Sequence, residues 1–223
     1  MRWAVIGDQG MFGAEMLCLL IERGEHATGF NRSNLDLASG IDDLARKIGP
    51  QDVIVNAVAY TAVDKAETEA ETAMLVNGDY AGKLAQVAKL LGAKFIHIST
   101  DYVFAGDANV PYATSDVTNP QSIYGKSKLL GEELVSESGA EYSILRTAWL
   151  YGKYGKCFPK TMANLLLDKG SVRVVADQIG QPTWTRDLAE LVMQVGSLKQ
   201  MPRVVHAVSS GQASWADFAA EVA

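Results

Sequence analysis

The sequence predicts an α/β protein built on a doubly wound parallel sheet. Three observations carry this. Short apolar runs alternate with stretches of helical periodicity from the N-terminus to about Tyr151. The run Asp52-Val-Ile-Val-Asn56 is β-branched through its centre, as suits a strand buried on both faces. The chain opens as strand, glycine, helix, with Trp3-Ala-Val-Ile6 closed by Gly7.

Each element follows in order. After the first strand, Met11, Phe12, Met16, Leu19 and Leu20 fall at helical spacing, and Gly24 punctuates them. His26 to Asn31 reads as the second strand. Ile41 to Ile48 reads as a short helix stopped by Gly49-Pro50. Asp52 to Asn56 is the third strand. Glu67 to Leu91 reads as one long helix. The acidic stretch Asp64 to Glu71 reads as its solvated start, where carboxylates favour the positive end of the helix dipole. Lys94 to Ser99 is the fourth strand, Ser122 to Ser138 is mostly helix, and Tyr142 to Arg146 is the fifth strand. Beyond Tyr151 the rhythm loosens. A helix at Phe158 to Leu167, a strand at Val172 to Val175, a helix at Arg186 to Val195 and a strand at Val204 to His206 are expected. Ser214 starts a helix in which the sequence stops, at Ala223.

The chain has 223 residues, 48% of them hydrophobic, enough for one sizeable core. A net charge of −6 argues against nucleic-acid binding, which needs a basic face. No apolar run approaches the roughly 20 residues of a membrane span, and the N-terminus has no signal-peptide pattern. Cys18 and Cys157 lie far apart in no metal-ligand spacing. They read as reduced thiols of a cytoplasmic protein, a single disulfide being the alternative. His26, His97 and His206 show no paired ligand spacing, and His97 reads as a structural histidine within a strand. No G-x-S-x-G elbow is present to support a serine hydrolase.

Gly7-Asp-Gln-Gly10-Met-Phe-Gly13 is a G-x-x-G-x-x-G run between the first strand and first helix. Glycines there let the backbone turn sharply and approach a pyrophosphate, which the helix N-terminus then binds. The bland reading is an ordinary glycine-rich turn, but the strand before it and the helix after it favour a Rossmann-type dinucleotide site. Gly7, Gly10, Met11, Phe12 and Gly13 are therefore cofactor candidates. At the end of the second strand an acidic residue would prefer NADH, and an arginine accommodates the 2′-phosphate of NADPH. The sequence has Asn31-Arg32, and Arg32 is a fixed cation suited to phosphate. NADPH is the expected cofactor, with NADH open.

Tyr124-Gly-Lys-Ser-Lys128 puts Tyr124 and Lys128 on one helix face. A phenol with a pKa near 10 is a poor acid at neutral pH until a cation stabilises its phenolate. Lys128 supplies one and can also hydrogen-bond the nicotinamide ribose, so Tyr124 and Lys128 are cofactor candidates too. Alone, the pair would be an aromatic and a solvated lysine on an amphipathic helix. It follows Ser99-Thr100-Asp101 at the end of the fourth strand, where a hydroxyl can polarise a carbonyl or merely cap a turn. Glycine loop, strand-end threonine and Tyr-x-x-x-Lys in that order point to carbonyl reduction.

These residues resemble the extended short-chain dehydrogenases/reductases, and more closely the dTDP-4-dehydrorhamnose reductase family. The strings that carry it are Asn56-Ala-Val-Ala-Tyr-Thr-Ala-Val-Asp-Lys-Ala-Glu67, Ser99-Thr-Asp-Tyr-Val-Phe104, Tyr124-Gly-Lys-Ser-Lys-Leu-Leu-Gly-Glu132, Arg146-Thr-Ala-Trp-Leu-Tyr-Gly152 and Asp177-Gln-Ile-Gly-Gln-Pro-Thr183. The resemblance implies Thr100, Tyr124 and Lys128 as the catalytic set. It implies Ala57, Ala59, Tyr60 and Thr61 along the cofactor, and Asp36 and Leu37 at its adenine. It implies Thr100, Asp101 and Trp149 at a nucleotide-sugar substrate, Trp149 having a second reading as a core residue. Residues 1–150 would form the Rossmann domain. Residues 151–223 would form a small substrate-binding part, interleaved with it and incomplete at its C-terminal end.

Related 4,6-dehydratases carry Thr-Asp-Glu at the fourth strand end. Here Tyr102 replaces the glutamate, so reduction is expected rather than dehydration. A related regulatory subunit of methionine adenosyltransferase, which binds a nicotinamide cofactor, is the alternative of a different class. A different keto-sugar reductase is another. Some members dimerise through a magnesium site that includes a glutamate on the first helix. Glu15 matches it without a full ligand set, and a solvated glutamate is the expectation. A monomer or homodimer is expected.

Overall fold

The structure is a computed structural model that describes residues 1–223. Its centre is a six-stranded sheet in the order β2-β1-β3-β4-β5-β9. The strands are β1 (Arg2–Ile6), β2 (His26–Phe30), β3 (Val53–Asn56), β4 (Lys94–Thr100), β5 (Tyr142–Thr147) and β9 (Val204–His206). All neighbours pair in parallel. The helices are α1 (Met11–Glu22), α2 (Ile41–Ile48), α3 (Val63–Ala66), α4 (Ala70–Met74), α5 (Tyr80–Leu91), α6 (Ile123–Glu137), α7 (Phe158–Lys169), α8 (Thr185–Ser197) and α9 (Trp215–Ala220). Two short ribbons complete the fold. β6 (Leu150–Tyr151) pairs with β8 (Thr183–Trp184), and β7 (Ile179–Gly180) pairs with β10 (Ala213–Ser214).

Side-chain alternation along the strands divides the core into two layers. Ala4, Ile6, Ile54, Phe95 and Ile144 pack with Leu44 of α2 and Leu84 of α5. Trp3, Val5, Val53, Val55, Ile96 and Leu145 pack with Met16 and Leu19 of α1 and Leu188 and Val192 of α8. The chain leaves β1 for β2 on one side, then returns past β1 to β3. The connections therefore diverge above β1 and β3, and a crevice opens at their carboxyl ends. That crevice fixes where the site lies.

Three expectations are corrected. The single helix Glu67 to Leu91 is three pieces, because a π-helical turn at Leu75–Asp79 separates α4 from α5. The acidic stretch is not simply solvated. The Glu67 carboxylate accepts the Ile123 N–H at 2.8 Å, and Glu69 accepts the Tyr60 hydroxyl at 2.7 Å. Val172 to Val175 forms no strand, since no neighbouring strand reaches it. Both cysteines are free. No helix is long and apolar enough to cross a membrane.

Candidate active site

The crevice is a cleft of about 680 Å³, well within the size range of small-molecule sites. Gly7, Gly10, Asn31, Arg32, Asp36, Leu37, Ala57 and Ala59 line it. Gly7 closes β1 with φ +93°, a conformation that favours glycine, and a Cβ there would lie 3.0 Å from the Ala57 carbonyl carbon. Gly13 packs on the Gly7 carbonyl with no space for a side chain. Gly10 is the N-cap of α1, so the first-turn amides of that helix face the cleft without helical partners. The backbone thus forms an anion cradle suited to a pyrophosphate. Beyond it, the Asn31 amide donates to Asp8 at 3.0 Å and Arg32 stands exposed at the rim. Lys83 of α5 donates to the Leu37 carbonyl at 2.8 Å and holds the loop that carries Asp36 and Leu37.

The candidate catalytic residues lie at the end of β4, next to the strand β3 whose following residues line this cleft. Ser122 caps α6 by accepting the Gly125 N–H at 3.0 Å. Tyr124 and Lys128 then rise from one face of the helix toward the end of β4. Burial pushes the Tyr124 phenol up to about 12, against a smaller lowering by its hydrogen bond with Thr100. The Thr100 hydroxyl donates to Asp101 at 3.0 Å and accepts the Tyr102 N–H at 3.3 Å. Lost solvent raises the pKa of the Asp101 carboxyl, against lowering by the hydrogen bond it accepts from Thr100. Lys128 is fully buried. Its ammonium donates to the Ile98 carbonyl at 2.7 Å and lies 3.3 Å from His97 Nε2. Burial lowers it to about 8, while the nearby Glu132 carboxylate raises it.

Below this centre is a second tier of polar contacts. Arg146 of β5 clasps Glu132 through Nε at 3.0 Å and Nη2 at 2.6 Å, and Ser99 donates to the same carboxylate at 2.6 Å. From the π turn, the buried Asn77 accepts the Tyr60 N–H at 2.7 Å and donates to Ser127 at 2.8 Å. Ser127 in turn donates to the Tyr124 carbonyl at 2.7 Å. The π turn is therefore bolted to the turn of α6 that carries Tyr124 and Lys128. Gly131 lets α6 come this close, since a Cβ there would collide with the Asn77 carbonyl.

Trp149 leads from β5 to β6 with φ +45°, the sole non-glycine residue with positive φ. A backbone of this kind costs ~1–3 kcal/mol and persists where surroundings over-determine it. Its ring stacks on Trp215 of α9, with centroids 3.5 Å apart, and Gly180 packs against it.

The family described as the RmlD substrate binding domain matches residues 1–223. The chain belongs to the RmlD substrate-binding-domain family. A dTDP-4-dehydrorhamnose reductase of Sinorhizobium fredii is 42% identical, over 98% of this chain and 76% of that protein. A probable dTDP-4,6-dihydroxy-2-methyloxan-3-one 4-ketoreductase of Streptomyces antibioticus is 40% identical, over 100% of this chain and 76% of that protein. The solved dTDP-4-dehydrorhamnose reductase of Bacillus anthracis in complex with NADP superposes with a TM-score of 0.94 at 35% identity, covering 99% of this chain and 79% of that one.

In this RmlD-family chain not every candidate faces the cleft. Phe12 is buried in the core between sheet and α8, and Gly13 serves the tight packing of the loop. Met11 lies against Gly155 instead. Tyr60 is held by Asn77 and Glu69, and Thr61 is exposed beyond it. Glu15 is not solvated. It is buried and pairs with Arg186 of α8 at 3.4 Å. No three His, Cys, Asp or Glu side chains converge to hold a metal ion. Val58, Val76 and Tyr80 also line the cleft, and Asn56, Asn77 and His97 support the centre. Val58, Val76, Tyr80 and Asn77 gave no sequence signal, whereas Asn56 and His97 stand out as polar residues within apolar strand runs.

Proposed function

We propose that this chain reduces the 4-keto group of dTDP-4-dehydrorhamnose with NADPH, giving dTDP-L-rhamnose. The observation that carries this reading is that Tyr124 lies by Thr100 at the end of β4 while Lys128, one turn further along α6, donates to the Ile98 carbonyl of the same strand, next to the strand β3 whose end borders a glycine-floored cleft of nucleotide size. The names of the relatives supply the sugar. Bound in the cleft, the nicotinamide cofactor supplies the hydride that reduces the carbonyl carbon.

The residues of the chain do the rest. The glycine loop and α1 hold the pyrophosphate, Asp36 and Leu37 border the adenine, and Arg32 takes the 2′-phosphate. The Thr100 hydroxyl polarises the carbonyl oxygen, and Tyr124 gives it a proton. Lys128 as ammonium then stabilises the phenolate. Asp101 and Trp149 flank the sugar, with residues 151–223 supplying that side of the pocket. The setting is a cytoplasmic enzyme acting on a nucleotide sugar.

Following nicotinamide absorbance with the keto-sugar and NADPH tests the reading. Absence of substrate-dependent oxidation, together with co-purification of a methionine adenosyltransferase, would favour the regulatory-subunit alternative. Two further outcomes are expected. Reduction depends on a charged Lys128, so kcat/KM in the direction of reduction falls as pH rises through about 8. A profile flat to pH 10 would remove Lys128 from the role. Arg32→Ala removes a charge-assisted contact worth ~1.5–3 kcal/mol, so the KM for NADPH should rise by roughly 10- to 100-fold while that for NADH barely moves. Equal changes for both cofactors would show that Arg32 does not read the phosphate.

A further inference from the structure

His97 lies in the middle of β4, fully buried, and makes two polar contacts. Asn56 Nδ2 lies 3.1 Å from its Nδ1, and Lys128 Nζ lies 3.3 Å from its Nε2. Asn56 Oδ1 is already committed, because it accepts the Val58 N–H at 3.1 Å. Asn56 therefore turns its NH₂ to the ring and donates to Nδ1. An imidazole that accepts at Nδ1 and is neutral carries its proton on Nε2. Burial and the Lys128 charge both hold His97 well below its usual pKa, so it is neutral.

The consequence falls on Lys128. An ammonium has three donors and no acceptor. Against Nε2–H it meets donor with donor, whereas the neutral amine offers a lone pair. To suit the ammonium, the ring must move its proton to Nδ1 and Asn56 must turn its carbonyl to the ring. The Val58 N–H, at the floor of the cofactor cleft, then loses its acceptor.

We propose that His97 is a positioning residue of the reductive centre: fixed by Asn56 as the Nε2–H tautomer, it disfavours the ammonium form of Lys128 and couples that charge to the Val58 loop. This rests on the reading of Lys128 as the cation that serves Tyr124. The other groups that face Lys128 are the Ile98 carbonyl of β4 and the Glu132 carboxylate of α6. Arg146 of β5 neutralises Glu132, and Asn77 of the π turn engages Ser127 instead.

Two measurements on the full chain test it. The chain has three histidines, so ¹⁵N-labelled histidine gives few signals, and loss of one in His97→Gln assigns His97. Near pH 7 the wild type should show a bare Nδ1 and a protonated Nε2. A proton on Nδ1, or an imidazolium, overturns the proposal. The second measurement is the pH profile of His97→Gln. Its amide oxygen reaches the former Nε2 position and accepts from the ammonium. The alkaline limb of reduction should therefore move up by about one pH unit, a tenfold gain in proton affinity, with the NADPH KM little changed. A limb that stays in place overturns the proposal, whereas a purely structural histidine would change stability and leave the limb alone. If His97→Gln does not fold, the signals lost in His26→Gln and His206→Gln assign His97 by elimination, and the tautomer of the wild type decides. That reading needs no turnover, so it stands apart from failure of the reductase assignment.

Discussion

Tyr124→Phe should fold, bind NADPH as the wild type does, and lose turnover by about 10² or more, the usual worth of a positioned general acid. The ring stays in place, so its edge contact with Tyr102 survives, with centroids 5.5 Å apart. The change deletes one hydroxyl near the Thr100 side chain, a net stability effect of about 1 kcal/mol or less. Nothing in the cradle of Gly7, Gly10 and α1 depends on that oxygen. The loss should therefore fall on kcat, since the proton is needed only as charge builds on the carbonyl oxygen. The phenol is raised to about 12 by burial, so at neutral pH the wild type holds its proton ready. Nicotinamide absorbance gives turnover, and quenching of protein fluorescence gives cofactor affinity. Unchanged turnover would remove Tyr124 from the mechanism, and lost cofactor binding would recast it as a cofactor ligand.

The sheet was legible because its signal is local. The apolar runs at Trp3, Val53, Phe95 and Tyr142 each mark a strand in the observed structure. The glycine loop was legible for a steric reason, as Gly7 and Gly13 stand where a Cβ would strike backbone. Tyr124 and Lys128 were legible because helical spacing alone puts them on one face. The π turn at Leu75–Asp79 was not, since one added residue barely shifts the apolar periodicity from Ala70 to Leu91. Nor were the supports beneath the site. Asn56 meets His97 across 41 positions of sequence, and Asn77 meets Ser127 across 50. Such pairs exist only once the strands and α6 have docked. Glu15 was misjudged for the same reason, because its partner Arg186 lies on α8, far along the chain.

Removing Glu132 should be the most costly single change to stability. The Glu132→Leu variant strips Arg146 of its carboxylate and leaves a guanidinium, 6% exposed, with one carbonyl contact from Thr114 at 3.3 Å and the Phe104 ring 5.0 Å away. Breaking such a buried pair costs ~3–5 kcal/mol, a large part of the ~5–15 kcal/mol that holds a domain together. Urea denaturation should show the midpoint falling sharply. The double variant Glu132→Leu/Arg146→Met should recover most of it, since no buried charge is then stranded. A single variant within ~1 kcal/mol of wild type would show that the pair does not carry this weight. The double variant also separates stability from chemistry. Glu132 raises the Lys128 pKa, and its loss removes the negative charge nearest that amine. The ammonium should then give up its proton at lower pH, and reduction should fail earlier on the alkaline side. This is opposite in sign to His97→Gln, although both residues lie beneath the same lysine. A well-folded double variant whose alkaline limb is displaced downward would show that the tier below Lys128 sets its charge as well as its place.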